Sequence, residues 1–330
     1  MNHNTSDQNT QPGLDISIIV PVYNEEENIA DLLQETLPHL SASGLSYEVI
    51  LINDGSKDGT WLEIQKAANN DPCVKGVSLS RNFGHQHALF CGLHFAGGRA
   101  MICMDGDLQH PPSMIPKMLH AWKEGAKVVT TTRISNAKTS WLKKVSSKYY
   151  YKLFTFLSGV PLHEGTSDFC LIDRQAFEAF KDFKDANLFL RGIVHWVGFP
   201  SASLAYQEGE RKKGKSKYSL LKMLHLGLTG IISFSTVPLK LGIWAGLLMS
   251  AFSFFELAYI LTRYLQGATV PGWASTVGVV SLLFGILFIL LGCIGIYLAD
   301  IHNCLKNRPP FIVEKIVNIL PGAERKDDGY

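Results

Sequence analysis

The amino-acid sequence predicts an α/β domain, a mostly parallel, doubly wound sheet, followed by two helices that cross a membrane. Three observations predict it. Over the first part of the chain, short apolar runs alternate with helix-like stretches, the pattern of βαβ units. Nearer the C-terminus, two long stretches are almost free of charge. The 330 residues and 46% hydrophobic content allow one large core with an added element.

Taken in order, residues 1–13 are polar, lack the apolar segment of a leader, and are expected to form a disordered tail. Five apolar runs are expected as buried parallel strands: Ile16–Val20, Val49–Ile52, Val74–Leu79, Met101–Met104 and Val128–Thr131. Helices such as Glu26–Leu37 and Thr60–Ala68 lie between them. From Trp141 the texture changes. Trp141, Val145, Tyr149, Leu153 and Phe156 recur at helical spacing with Lys143, Lys144, Lys148 and Lys152 interleaved. A basic, aromatic-rich amphipathic helix over about 141–158 suits a bilayer interface.

The two apolar stretches, about 238–262 and 273–299, are each long enough to span. Arg211, Lys212, Lys213, Lys215, Lys217 and Lys222 precede the first, and Lys306 and Arg308 follow the second. The connecting loop holds only Arg263. The positive-inside rule then places the catalytic region (14–225) and both termini, including a tail over 306–330, in the cytoplasm, with the two-helix region at 226–305. The six cysteines have no CxxC spacing and are expected as reduced, largely buried thiols. A net charge of +2 carries little information, and no nucleic-acid partner is expected. The spans permit a homo-oligomer without requiring one.

The chemistry starts at residues 100–112, an apolar run that stops on Asp105 and Asp107. Ligands of open α/β sheets bind beyond the carboxyl ends of the strands. In an Asp-Gly-Asp turn both carboxylates can face one hard cation, with Gly106 giving the backbone room to curl. Oxygen ligands suit Mg²⁺ or Mn²⁺, ions that share coordination with substrate phosphates. Two more strand ends converge there. The first carries Pro21, Tyr23, Asn24 and Glu25, and the second carries Asn53, Asp54, Gly55 and Ser56. An acid in the position of Asp54 commonly meets a ribose or base edge. Arg81, between the third and fourth strands, can help hold a diphosphate.

The segments IIVPVYNEEENI, LINDGSKDGT, LSRNFGHQHA, MDGDLQHPP, GTSDFCLIDR and GKSKYS resemble the glycosyltransferase family 2 branch that glycosylates polyisoprenyl phosphates. The resemblance runs from about Ile16 to Phe311. It implies a GT-A fold, a nucleotide-sugar donor, a divalent metal, a polyprenyl-phosphate acceptor in the bilayer, and residence as a two-pass protein of a bacterial inner membrane. It also implies roles. Pro21, Tyr23, Glu25, Asp54, Arg81 and Asp105 line the nucleotide-sugar site. Asp105, Asp107 and Gln109 hold the metal. Arg133 lies near the acceptor phosphate, and Arg211, Ser216, Lys217 and Tyr218 form a basic segment that closes over the site. Asp168 stands where donor sugar and acceptor meet, and with Asp107 and Arg133 belongs to the catalytic set. His85, Gln86 and His87 occupy a variable place, with a bearing on nucleotide or sugar choice.

The expected reaction is transfer of one hexose, UDP-glucose-like donors favoured, with inversion. An acceptor phosphate is already mostly dianionic at neutral pH, its second pKa near ~6, so no strong base is required. Two alternatives stay open: a processive polysaccharide synthase of the same superfamily, and a non-catalytic membrane protein binding sugar or lipid. The Gln-x-x-Arg-Trp motif of the former is missing, since Arg191 and Trp196 do not form it. The stretch from Gly209 to Ser216 satisfies a P-loop pattern, but its variable positions are all charged and no strand–helix core follows before the membrane stretch.

Overall fold

The computed structural model describes residues 13–134, 166–183, 189–207, 237–267, 272–306 and 308–319. One eight-stranded sheet organises the catalytic region, in the order β7-β5-β6-β4-β1-β2-β3-β8. Strands β1 (Ile16–Val22), β2 (Tyr47–Asn53), β3 (Val74–Leu79) and β4 (Ala100–Cys103) pair in parallel in the order 3-2-1-4. Their residues are almost all buried, because helices cover both faces and the strands read as continuous apolar runs. The expected positions of these strands, and of β5 (Val128–Arg133), agree with the structure to within a few residues.

Helices α1 (Ile29–Ser41), α2 (Thr60–Asn70), α3 (His85–Phe95) and α4 (Ile115–Lys123) connect the strands. The first starts three residues later than expected. Glu25 and Glu26 are used outside the helix, where the Glu25 N–H donates to Thr60 Oγ1 at 2.9 Å and Glu26 Oε2 accepts from the Gly59 N–H at 2.7 Å. The core has two layers. Ile18, Val20 and Leu51 pack with Leu32 and Ile64 on one side, and Ile19, Ile50 and Ile52 pack with Leu89 and Leu93 on the other.

Three strands lie beyond the sequence expectation. Strand β6 (Thr166–Asp173) inserts antiparallel between β4 and β5, and β7 (Ser201–Tyr206) extends the sheet parallel to β5. The short helices α5 (Arg174–Glu178) and α6 (Leu190–Trp196) pack beside them. The third added strand, β8 (Val313–Val317), comes from the stretch expected as a C-terminal tail and runs antiparallel to β3. Its lead-in is fixed as well, since the Ser80 N–H donates to the Ile312 carbonyl at 2.9 Å.

Both uncharged stretches are helical, as α7 (Val237–Leu265) and α8 (Trp273–Leu305). Among the described residues one stretch, Leu282–Leu305 in α8, is long and apolar enough to cross a membrane. Large apolar side chains stay exposed on both helices, among them Trp244, Phe254 and Phe255 on α7 and Phe288, Ile289 and Leu298 on α8. The expected interfacial helix over 141–158, the P-loop-like stretch, and Arg211, Ser216, Lys217 and Tyr218 lie outside the described residues. Of the six cysteines, Cys91, Cys103 and Cys170 are buried and none is disulfide-bonded.

Candidate active site

In the 3-2-1-4 order the connection reverses between β1 and β4, the place beyond the strand ends where open α/β sheets bind ligands. Asp54 follows the end of β2. It is buried, and its two carboxylate oxygens accept the N–H groups of Phe83 (2.7 Å) and Gly84 (3.0 Å). Burial pushes the Asp54 carboxyl up, against the lowering by those two N–H groups. The acid expected on a ribose or base is thus, in this structure, the clamp of the loop bearing Arg81. Gly55 makes the clamp possible. Its φ is +64°, and a Cβ there would stand 2.5 Å from the Asn82 nitrogen. The Arg81 guanidinium lies 4.0 Å over the Phe83 ring and donates to the Asn82 carbonyl.

The loop after β1 is laced to the loop after β2. The Asn24 N–H donates to Ser56 Oγ, and Asn24 Oδ1 accepts from the Lys57 N–H, both at 2.9 Å. Asn24 takes a positive φ of 55°, which asparagine tolerates. Pro21 is buried in β1, Tyr23 is exposed at the strand end, and Glu25 is half-buried.

After the Asp-Gly-Asp turn the backbone becomes left-handed at Leu108 (φ 61°). Gly106 is needed for space, since a Cβ there would press on Val22 Cγ1 at 2.8 Å. A bulky residue at positive φ persists where its surroundings over-determine it, and Leu108 is buried. The fold-back lets the Gln109 N–H donate to Asp107 Oδ1 (3.1 Å) and brings His110 Nδ1 within 3.0 Å of the Asp105 N–H.

Strand β6 supplies Asp168. Cys103 on β4 faces Cys170 on β6, so carrying the antiparallel register two residues further sets Asp105 opposite Asp168. Asp168 is buried and ionised. Arg191, on α6, grips it with Nε to Oδ1 at 2.6 Å and an Nη to Oδ2 at 2.7 Å, and Gln86 adds an amide N–H to Oδ2 at 3.1 Å. Burial favours the neutral acid, but Arg191 and His85 together outweigh it and hold the Asp168 carboxyl well below the usual range. His85 stands between the two acids, its Nε2 3.4 Å from Asp105 Oδ1 and 3.6 Å from Asp168 Oδ2. Burial works against a charge on His85, but the Asp168 hydrogen bond and the two acids push its pKa up to about 9. Arg133, at the end of β5 with Cα register to Tyr206, reaches the same edge of the sheet and is exposed.

Arg191, Gln86 and His110 are the residues sequence reasoning missed as members of this network. Gln86 and His110 sat inside recognised motifs, but only the β6 register and the packing of α6 reveal what they touch.

The donor set suits a divalent cation. Asp105 Oδ1 accepts no hydrogen bond and faces His85 Nε2 at 3.4 Å, so it could turn to a hard cation without breaking a hydrogen bond. No cage of three or more His, Cys, Asp or Glu side chains exists among the described residues. An ion here would therefore be held by few protein oxygens and completed by substrate, the habit of Mg²⁺.

A 3-2-1-4 sheet with carboxylates beyond β4 and an antiparallel strand beside it is the GT-A arrangement. The chain belongs to glycosyltransferase family 2: residues 17–180 match that family, described as "Glycosyl transferase family 2". It is 38% identical to the "Uncharacterized glycosyltransferase YkcC" of Bacillus subtilis, over 92% of this chain and 94% of that one. It is also 37% identical to the "SfII prophage-derived bactoprenol glucosyl transferase" of Shigella flexneri, over 91% and 97%. The protein is therefore an enzyme, a glycosyltransferase. Among solved structures, a mannosyl-3-phosphoglycerate synthase from Rubrobacter xylanophilus aligns at 14% identity and TM-score 0.47, over 67% of this chain and 72% of that one. That distance supports no inference about the site.

Proposed function

We propose that this glycosyltransferase moves a single hexose, with inversion, from a nucleotide sugar of UDP-glucose type to a polyprenyl phosphate at the cytoplasmic face of a bacterial inner membrane. The observation that carries the reading is the grip of Arg191 on Asp168. A carboxylate held well below its usual pKa is a poor proton acceptor. A sugar-hydroxyl acceptor would need a competent base near the anomeric carbon. A phosphate monoester, with its second pKa near ~6, attacks without one. This favours a lipid-phosphate acceptor over a processive polysaccharide synthase. The printed name of the Shigella relative, a bactoprenol glucosyl transferase similar along nearly its whole length, supports the same acceptor.

In this reading Pro21, Tyr23, Glu25, Arg81 and Asp105 line the nucleotide-sugar site, and Asp54 contributes by holding the Arg81 loop. Asp168, fixed and anionic, orients donor-sugar hydroxyls. Arg133, with Arg211, Ser216, Lys217 and Tyr218, offsets the charge of an anionic acceptor brought beside an anionic donor. Asp105, Asp107 and Gln109 would hold Mg²⁺ or Mn²⁺, which supplies charge neutralisation on the departing diphosphate.

Chain topology supports two crossings. Strands β7 and β8 belong to one sheet, so the chain between Tyr206 and Val313 must cross a bilayer an even number of times. If Leu282–Leu305 crosses once, a second crossing must precede it, and among the described residues α7 is the helix available for it. Six residues lie between Leu305 and Ile312, a reach of at most ~25 Å. Ile312 is bonded to Ser80 at the head of the Arg81 loop, so the site sits close to the membrane surface.

The test uses the full-length protein in detergent with labelled nucleotide sugars and polyprenyl phosphate. Chloroform-soluble label that disappears with EDTA supports the reading. A long polymer, or no transfer to the lipid, overturns it.

A further inference from the structure

His110 lies at the seam between the two halves of the site. It is buried, 5% exposed. Its ring stacks on Phe169 (centroids 4.8 Å apart, planes 8° apart) and meets the Tyr206 ring edge-on at 5.9 Å. Those contacts fix the ring plane, and the hydrogen bonds fix the tautomer. The Asp105 N–H can only donate, so Nδ1 must accept at 3.0 Å. In the neutral ring Nε2 then carries the hydrogen and donates to Ser167 Oγ at 2.8 Å. Ser167 Oγ also accepts the Phe169 N–H at 3.2 Å, which ties it into β6.

We propose that His110 is a positioning residue: one imidazole bolts the backbone of Asp105 to the strand carrying Asp168 and sets the spacing between the metal-binding turn and the acid that orients the sugar. Each end of the bolt is one residue or less from a functional acid, since Nδ1 holds Asp105 itself and Nε2 holds the neighbour of Asp168. The left-handed Leu108 exists to return the chain so that His110 can reach back five residues to Asp105. Both ring nitrogens are engaged, Nε2 also lying 3.6 Å from Asp105 Oδ2, so His110 acts through the residues it holds.

The proposal rests on the metal reading above, and the experiment separates the two. Mn²⁺ binding in the presence of UDP is followed by electron paramagnetic resonance on purified full-length protein, alongside melting curves and donor KM and kcat. His110→Ala removes both bonds, and its apparent Mn²⁺ dissociation constant is expected to rise by about 10-fold or more, the usual cost of losing an outer-sphere partner. His110→Asn keeps an acceptor for the Asp105 N–H but cannot reach Ser167, and should lie between Ala and wild type. Ser167→Ala should match His110→Asn, and the double variant should be no worse than either single one. A folded His110→Ala protein that melts earlier but binds Mn²⁺ and donor as wild type does overturns the proposal. So do additive effects of the Asn and Ser167 substitutions. If wild-type protein itself binds no Mn²⁺ with UDP, the metal reading and the proposal both fall. If His110→Ala does not fold, the His110→Asn and Ser167→Ala pair decides by the same criteria.

Discussion

Buried carboxylates stand at both ends of the central strands, and the fold treats them in opposite ways. At the lower end, Glu48 on β2 faces Ser17 on β1. Its Oε1 accepts the Ser17 hydroxyl at 2.5 Å and the Gly97 N–H at 2.7 Å, and its Oε2 pairs with Lys75 Nζ at 2.5 Å. Ser17 Oγ in turn accepts the Gly98 N–H. The ring is closed, and the charge is compensated inside the protein. At the upper end Asp168 is compensated by Arg191, whereas Asp105 is half-buried, its Oδ1 accepts no hydrogen bond, and its nearest charged neighbour is His85 Nε2 at 3.4 Å. A buried acid whose oxygens are all engaged serves stability. One at a strand end, with a histidine near its oxygen and no hydrogen bond to it, is placed to meet a ligand.

Substitutions at the two ends should therefore separate activity from stability. The largest expected effect is from Asp105→Asn. If Asp105 holds the metal as proposed, its loss, worth several kcal/mol of transition-state charge, should lower transfer by about 100- to 1,000-fold. The melting temperature should change little, because Asp105 is half-buried and His85 keeps Asp168 as its other acidic neighbour. A fall in melting temperature with transfer intact would erase the contrast. Next is Glu48→Gln, which leaves Lys75 facing a neutral partner and should destabilise the fold by about 3 kcal/mol in denaturant titration. Activity per folded molecule should be unchanged.

Arg191→Met sharpens the comparison at the upper end. It removes two charge-assisted bonds to a buried acid and should lower stability at pH 7 by about 2 kcal/mol. The pH dependence has a definite sign. In the wild type the folded pKa of Asp168 lies below its unfolded value of about 3.9. Its contribution is thus complete above that pH and is lost as pH falls further. In the variant this loss should shrink, so stability measured from pH 5 to pH 2 should decline less steeply than in the wild type. The smallest effect is expected from Gly106→Ala. The new Cβ meets only a rotatable Val22 methyl, so about 1 kcal/mol of stability should be lost with transfer largely retained.

Much of the upper site was legible because its residues follow strands that advertise themselves. Ile16–Val22, Tyr47–Asn53 and Ala100–Cys103 are mostly apolar, and the residues of the site appear where each run ends. Strand β6 was hidden, since TSDFCLID begins and ends in polar residues and its partners lie some 40 to 70 positions earlier. Strand β8 was hidden more deeply. VEKIV is a short, charged edge strand, and its partner β3 precedes both apolar helices in the chain. The left-handed residue of the turn was hidden too, since nothing in the sequence marks a leucine such as Leu108 for positive φ.

What the sequence determined by itself is the layered α/β core, the end of each parallel strand and the two apolar helices that follow. These depend on local periodicity and burial, which short windows report. Only the tertiary structure decided that Arg191 meets Asp168, that His110 ties Asp105 to Ser167, that Asp54 clamps the Arg81 loop, and that the chain returns from α8 to the sheet. Each of those depends on register between segments far apart in the chain. Periodicity names the face a side chain occupies, and only the pairing of strands names the neighbour it finds there.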